Sequence, residues 1–343
     1  MTFQLGVYSF GNTPRLEDGG LGDTAQAVRN LLEAIQLADQ VGLDVFGVGE
    51  HHTRGMPMSS PTSLINAAAT STERITLSTS VNVLSTDEPI RIFQQLATAA
   101  AFAPGRIEAV AGRGSSSITF PLFDFEEADY DTLFLSKLQL LLEIDRHDPV
   151  SWSGPHRRRP LVEATVVPRP ESPLPIWLGT GGSPASVLRA VELALPVFLG
   201  ILGGTPEYWA RYGDAYRSAW SELHDSEPAA MAVAMHGFVA DDGATARETF
   251  LRHEHRMFVE ALTAMGRPVP SAEARAAEYG PDGMVFVGGP DQVADRIISL
   301  HGRLGHRRHI IQMDLGGMPH GDYLRAIELL GTLVLPRVRE AIG

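Results

Sequence analysis

Short apolar runs alternate down the chain with longer stretches in which apolar positions recur every third or fourth residue. The first run, FQLGVY at 3–8, reads as a strand. After a polar, glycine-rich loop, TAQAVRNLLEAIQLADQVG places Val28, Leu31, Leu32, Ile35 and Ala38 on one face, the stripe of an amphipathic helix closed by Gly42. The beat repeats: strand DVFGVG, helix PTSLINAAATST opening on Pro61, strand ITLSTSVNV, helix PIRIFQQLATAAAF ending at Pro104-Gly105, strand IEAVAG. It then falters. An irregular loop over 114–126, a helix over 127–145 and a Pro- and Arg-rich insertion over 148–175, with room for a short hairpin, come next. IWLGT, a helix over 184–194, VFLGIL, a helix over 206–223, a strand over 231–240 and a helix from about 243 resume the pattern. Residues 265–283 read as a mobile loop, HIIQMDL as a late strand and 321–341 as a final helix.

Eight strand candidates alternating with helices fit a closed barrel or a doubly wound open sheet. With neither an internal repeat nor a linker between two such units, the choice is a (β/α)8 TIM barrel, one domain over 1–343, with insertions in its βα loops. Its chemistry should then sit where strands end and βα loops begin.

Composition narrows the function. The 343 residues are 44% hydrophobic and 20% charged, ordinary for a soluble globular protein, and the net charge of −13 argues against a nucleic-acid surface. There is no cysteine, so disulfides, thiolate metal sites and cysteine nucleophiles are excluded, and a cytoplasmic location is expected. The start MTFQLGVYSF lacks the features of a leader, and LALPVFLGIL is too short to span a membrane. Lys137, the only lysine among 28 basic residues, lies inside a helical run, which disfavours a Schiff base or phosphate-loop lysine.

Four strand ends carry candidate chemistry: GEHH (49–52), STSVNVLSTDEP (78–89), AGRGSSS (111–117) and GTGGSP (179–184). Solvated loop residues and tight turns would explain each of them singly; together they would line one rim. A metal site is not expected, because adjacent His51 and His52 point to opposite sides of a strand, and HEHR at 253–256 lies in a helical stretch. A phosphate is better provided for. Backbone N–H groups of Gly181, Gly182 and Ser183 precede a helix opened by Pro184, and Arg113 leaves the neighbouring strand between two glycines. GTGGSP lacks the last glycine of the dinucleotide fingerprint, so a mononucleotide fits better than NAD. Met56, Met58, Phe120 and Phe123 could line an apolar substrate pocket or simply pack.

GEHH, STSVNVLSTDEPIR, GRIEAVAGRGS and PIWLGTGGSPASVLRAVELALP, in this order across nearly the whole chain, resemble the bacterial luciferase-like monooxygenases, flavin-dependent (β/α)8 barrels. The resemblance implies FMN as cofactor, with Glu50 among the residues that bind it and His51 acting in proton transfer at the flavin's reactive edge. It implies a cis peptide at Ser80–Val81 behind the ring, and Arg113 with the 181–183 backbone on the phosphate. Where luciferase has a glutamate and a serine in that loop, this chain has Gly182 and Ser183; where luciferase has a cysteine before the arginine, it has Gly112. The implied reaction oxygenates a small organic substrate with O2 through a flavin hydroperoxide, using reduced flavin from a separate flavin reductase. The deazaflavin (F420) branch, which transfers hydride and would use HRRRP at 156–160 for its anionic tail, is the alternative. A flavin-binding protein without turnover is a third reading. A homodimer through the small apolar faces INAAAT and QLATAAAFA is also expected.

Overall fold

In the computed structural model, which describes residues 2–114 and 116–343, eight parallel strands close on themselves. They are β1 (Gln4–Ser9), β2 (Val45–Val48), β3 (Thr76–Thr79), β4 (Ile107–Gly112), β5 (Ile176–Thr180), β6 (Val197–Ile201), β7 (Met231–Val239) and β8 (Arg308–Gln312). Each pairs in parallel with the next. β8 returns to β1 with Gln4 opposite Arg308 and Val7 opposite Ile311, so the ring is shut. The fold is a (β/α)8 barrel, as the alternating pattern predicts.

The helices that follow the strands are α1 (Thr24–Gln40), α2 (Pro61–Ala69), α3 (Pro89–Phe102), α4 (Tyr130–Arg146), α5 (Pro184–Glu192), α6 (Pro206–Leu223), α7 (Pro290–Leu304) and α8 (His320–Leu329). Proline opens five of them, where its missing N–H costs nothing, and side chains of Asp23, Ser183 and Thr205 cap α1, α5 and α6. Their buried stripes pack on the outer faces of the strands. A second, smaller core fills the barrel: Tyr8, Val45, Val110, Trp177, Phe198, Ala232, Ala234 and Ile310. That set fixes which residues of each strand point inward, by the two-residue period of a strand.

Several local expectations change. The run 75–83 is not one strand: the peptide Ser80–Val81 is cis, and Asn82–Val83 re-pairs with Ala111 and Gly112 of β4. The loop expected over 114–126 contains a helix at Ser116–Leu122 and runs into a 3-10 turn at Glu127–Asp129, while Ser115 lies outside the described residues. Pro121 in that helix is a helix breaker on paper, which is why the pattern reads as loop. The mobile loop expected over 265–283 holds the short helix Ala272–Ala277, capped by the Ser271 side chain on Ala274 N. Strand Phe286–Gly288, too short to show a period, pairs with Gly237–Val239, and α7 after it was not anticipated. The final helix breaks into α8, a π turn at Leu330–Val334 and a helix at Leu335–Ile342. Pro336 supplies no N–H to the ladder there. The insertion does form a hairpin, Val150–Trp152 against Leu161–Ala164.

Candidate active site

The sequence-designated residues gather at the carboxyl ends of β2, β3, β4 and β5. The segment after β2 folds back on the end of β1: Met58 N bonds Phe10 O at 3.0 Å, and His51 N bonds Met58 O at 2.8 Å. This pins His51 with its ring edge-on to Phe10, centroids 5.5 Å apart. Burial, and then the neighbouring His52, hold the His51 pKa below the ordinary value, so its imidazole is neutral at pH 7. A neutral imidazole can take a proton at the mouth and, once protonated, return it.

Glu50 is buried. Its Oε2 accepts from Val83 N at 2.8 Å and Asn82 Nδ2 at 3.4 Å, while His52 Nε2 lies 3.0 Å from Oε1. Burial raises its pKa against the opposing bonds from Val83 and His52. Glu50 therefore ties the end of β2 to the segment after β3 and holds His52. His51 and His52 face different partners, as their adjacency requires.

Glycines keep the rim open. At Gly112 and Gly179 an added Cβ would come within 2.2 and 2.9 Å of the Val81 side chain, so Val81 is seated between β4 and β5. At Gly47 a Cβ would meet Ser80 Oγ at 2.4 Å, and at Gly181 it would meet nothing within 4 Å. Ser80 Oγ, Asn82 Oδ1 and Ser85 Oγ are buried without a hydrogen-bond partner, all on the segment that follows β3. Unmet buried polar atoms beside a glycine-cleared rim fit a planar, polar-edged ring system such as a flavin.

The phosphate end is partly engaged. Gly182, at φ +91°, packs against the Trp209 ring, and its N–H bonds Thr180 Oγ1 at 3.1 Å. Ser183 Oγ caps α5 by accepting from Ser186 N at 3.3 Å, so the Ser183 side chain is spent on the helix and only its backbone is left for an anion. Arg113 does not point at this loop. Its Nη1 bonds Asp131 Oδ1 at 2.6 Å, and its guanidinium lies 5.0 Å from the Tyr130 ring centre. With Asp131 68% exposed, this pair is worth about 0–1 kcal/mol, whereas a charge-assisted bond to phosphate is worth about 1.5–3 kcal/mol. A phosphate would win the arginine.

The apolar candidates divide. Met58 and Phe120 are buried, Phe120 against Phe125 and Tyr130, while Phe123 is exposed and sits edge-on over His52 at 5.2 Å. Among the described residues no group of three metal-binding side chains comes together, and no helix is long and apolar enough to cross a membrane.

Two groups stand on the β7–β8 side: His236, which the sequence reading missed, and Asp314, which in sequence is a possible metal ligand without partners. His236 follows Ala232 and Ala234 at the inward period of β7. Its Nδ1 lies 3.8 Å from the fully buried Glu254, which Arg275 and Tyr279 hold at 2.7 and 2.6 Å. The period of β7 was the available signal. Asp314, just past β8, accepts from Ser9 Oγ at 2.5 Å. Burial pushes its pKa up to about 7 from 3.8, against the Ser9 and Gln312 bonds. The folded state thus binds the extra proton between about pH 4 and 7, so stability falls as pH rises through that window and stays reduced above it. Three units correspond to roughly 4 kcal/mol. Asp314→Asn should therefore raise the melting temperature distinctly at pH 8 and less at pH 5; equal gains at both pH values in scanning calorimetry would refute the shifted carboxyl.

Comparisons with known proteins agree with this geometry. The family model described as luciferase-like monooxygenase matches residues 8–307. A 4-hydroxyprotoasukamycin monooxygenase from Streptomyces nodosus subsp. asukaensis is 25% identical over 321 residues, 89% of this chain and 85% of that one. An F420-dependent glucose-6-phosphate dehydrogenase from Beutenbergia cavernae is 31% identical over 172 residues, 47% of this chain and 50% of that one. Among solved structures, the oxygenating constituent of 3,6-diketocamphane monooxygenase from Pseudomonas putida, in complex with FMN, superposes with a TM-score of 0.77. It is 18% identical, covering 98% of this chain and 99% of that one.

Proposed function

Because the chain belongs to the luciferase-like monooxygenase family, we propose that it is an FMN-dependent monooxygenase of a small organic substrate, supplied with reduced flavin by a separate reductase. The observation that carries this reading is one rim on which neutral His51, the Val81 seat and the 181–183 turn at the start of α5 stand on neighbouring strand ends. Bound there in reduced form, FMN would supply the electrons that activate dioxygen. Arg113, released from Asp131, would hold the phosphate together with the Gly181 and Ser183 N–H groups at the positive end of α5. His51 would hold or deliver a proton at the ring edge, and Phe10 and Met58 would keep water from it. The FMN seen in the diketocamphane enzyme and the monooxygenase activity named for the Streptomyces relative support this choice.

Arg113→Ala should weaken FMN binding on the order of ten- to a hundredfold. Equilibrium dialysis of FMN, FAD and NAD against parent and variant tests it. Unchanged affinity, or FAD bound as tightly as FMN, would remove the phosphate assignment.

One observation favours the F420 branch as a second reading. Lys137, His156, Arg157, Arg158 and Arg159, with Glu88 paired to Arg157, line a cavity of about 420 Å³ between α4 and the 150–164 hairpin, where Lys137 stands six residues along α4 from Asp131. Burial lowers the Lys137 pKa to about 8, against the pull of Glu88 and Asp87. Such a cavity suits an anionic extension past the phosphate, and the Beutenbergia relative is named for F420. Tighter binding of F420 than of FMN in the same dialysis, lost on Arg158→Ala/Arg159→Ala, would select this branch.

A further inference from the structure

Four buried polar atoms without a hydrogen-bond partner belong to residues lining a single cavity: Arg15 Nε, His253 Nδ1, Asp314 Oδ1 and Tyr323 Oη. The cavity, of about 250 Å³, is lined by the loops after β1 and β8, by α1 and α8, and by the long helix Gly243–Ala264. Folded proteins rarely leave such atoms unmet, and four around one space call for a polar occupant. The volume is that of about eight waters or one small organic molecule.

The donors and acceptors define the occupant. Arg15 Nε–H and the Tyr323 hydroxyl offer hydrogens, and the Asn12 amide is already spent on Met318 O and Gly317 N. Arg256, one turn beyond His253 on the same helix face, has neither an ion pair nor a hydrogen bond among the described residues and also lines the cavity. Two donors and an unpaired cation ask for an anion. When ionised, Asp314 Oδ1 asks for the opposite, a hydroxyl hydrogen, since its other oxygen is held by Ser9. We propose that this cavity binds a small hydroxyl-bearing anion, ending in phosphate or carboxylate, as the head-group subsite of the substrate. Asp314 forms the wall shared with the barrel mouth, through Ser9 at the end of β1 and Gln312 at the end of β8. The HEHR segment, a poor metal site, thus faces two ways: His253 and Arg256 to the cavity, Glu254 to His236.

Only the word substrate rests on the flavin reading; the binding itself does not, so it is measured on protein free of flavin. Calorimetric titration with glycerol 3-phosphate, glycerate, inorganic phosphate and glycerol should show one of the first two binding at least tenfold tighter than inorganic phosphate or glycerol, and which one wins decides between phosphate and carboxylate. Arg256→Ala, a change on a half-buried helix face, should weaken that binding tenfold or more, and Arg256→Lys should recover part of it. Tyr323→Phe should weaken it several-fold. The proposal is overturned if neither hydroxylated anion saturates, if Arg256→Ala binds as the parent does, or if a crystal grown with the winning probe shows only ordered water in the cavity. Probe binding without FMN binding would sink the flavin reading and leave this site standing; the reverse result would do the opposite.

Discussion

His51→Ala should bind FMN within a few-fold of the parent yet release peroxide in place of product, raising the ratio of peroxide to product by about two orders of magnitude, the range for a positioned proton donor or acceptor. The division follows from where the residue stands. His51 is fixed by Met58 O and Phe10 at the end of β2, while the proposed phosphate donors lie just past the ends of β4 and β5. Its neutral ring contributes little to holding an anion. Assaying peroxide and product with a reductase, NADH and a panel of aldehydes and ketones, alongside FMN dialysis, reads both ends at once. A fully coupled His51→Ala would return the histidine to the role of a packed loop residue.

The largest loss of stability should come from inside the barrel. Arg308 and Glu108, each about 5% exposed, form an ion pair across the barrel interior; Trp177 Nε1 donates to Glu108 at 3.3 Å, and Arg308 Nε bonds Gln4 Oε1 at 2.8 Å. Glu108→Ala leaves a guanidinium buried without its counter-charge and should cost about 3–5 kcal/mol. The double replacement Glu108→Leu/Arg308→Met removes both charges and should cost much less, because neither is left uncompensated. Urea denaturation of the three proteins checks this. A double variant as unstable as the single one would mean that the hydrogen bonds to Trp177 and Gln4, and not the charge balance, carry the layer.

The barrel was legible because its eight strands and the helices between them obey two periods that no tertiary contact disturbed. What failed was local. The Ser116–Leu122 helix carries Pro121 and so reads as loop, and Phe286–Gly288 is too brief to alternate. The site divides the same way. GEHH, GRG and GTGGSP are contiguous, so pattern and resemblance reach them. His236 and Glu254 lie 18 positions apart and meet only because a helix returns over β7. Asp314 lacked a partner in sequence because that partner is Ser9, at the opposite end of the chain. Sequence could place Arg113 at the right rim, but not show that its guanidinium already rests on Asp131.

On the proposed reading, that resting place governs how an arriving phosphate would be bound. Asp131 acts as a built-in competitor: whatever anion arrives must displace one that is always present at the same effective concentration. Added salt weakens the bond to phosphate and the bond to Asp131 alike. The two losses partly cancel, so cofactor occupancy should be buffered against changes in ionic strength, where a bare arginine would respond steeply.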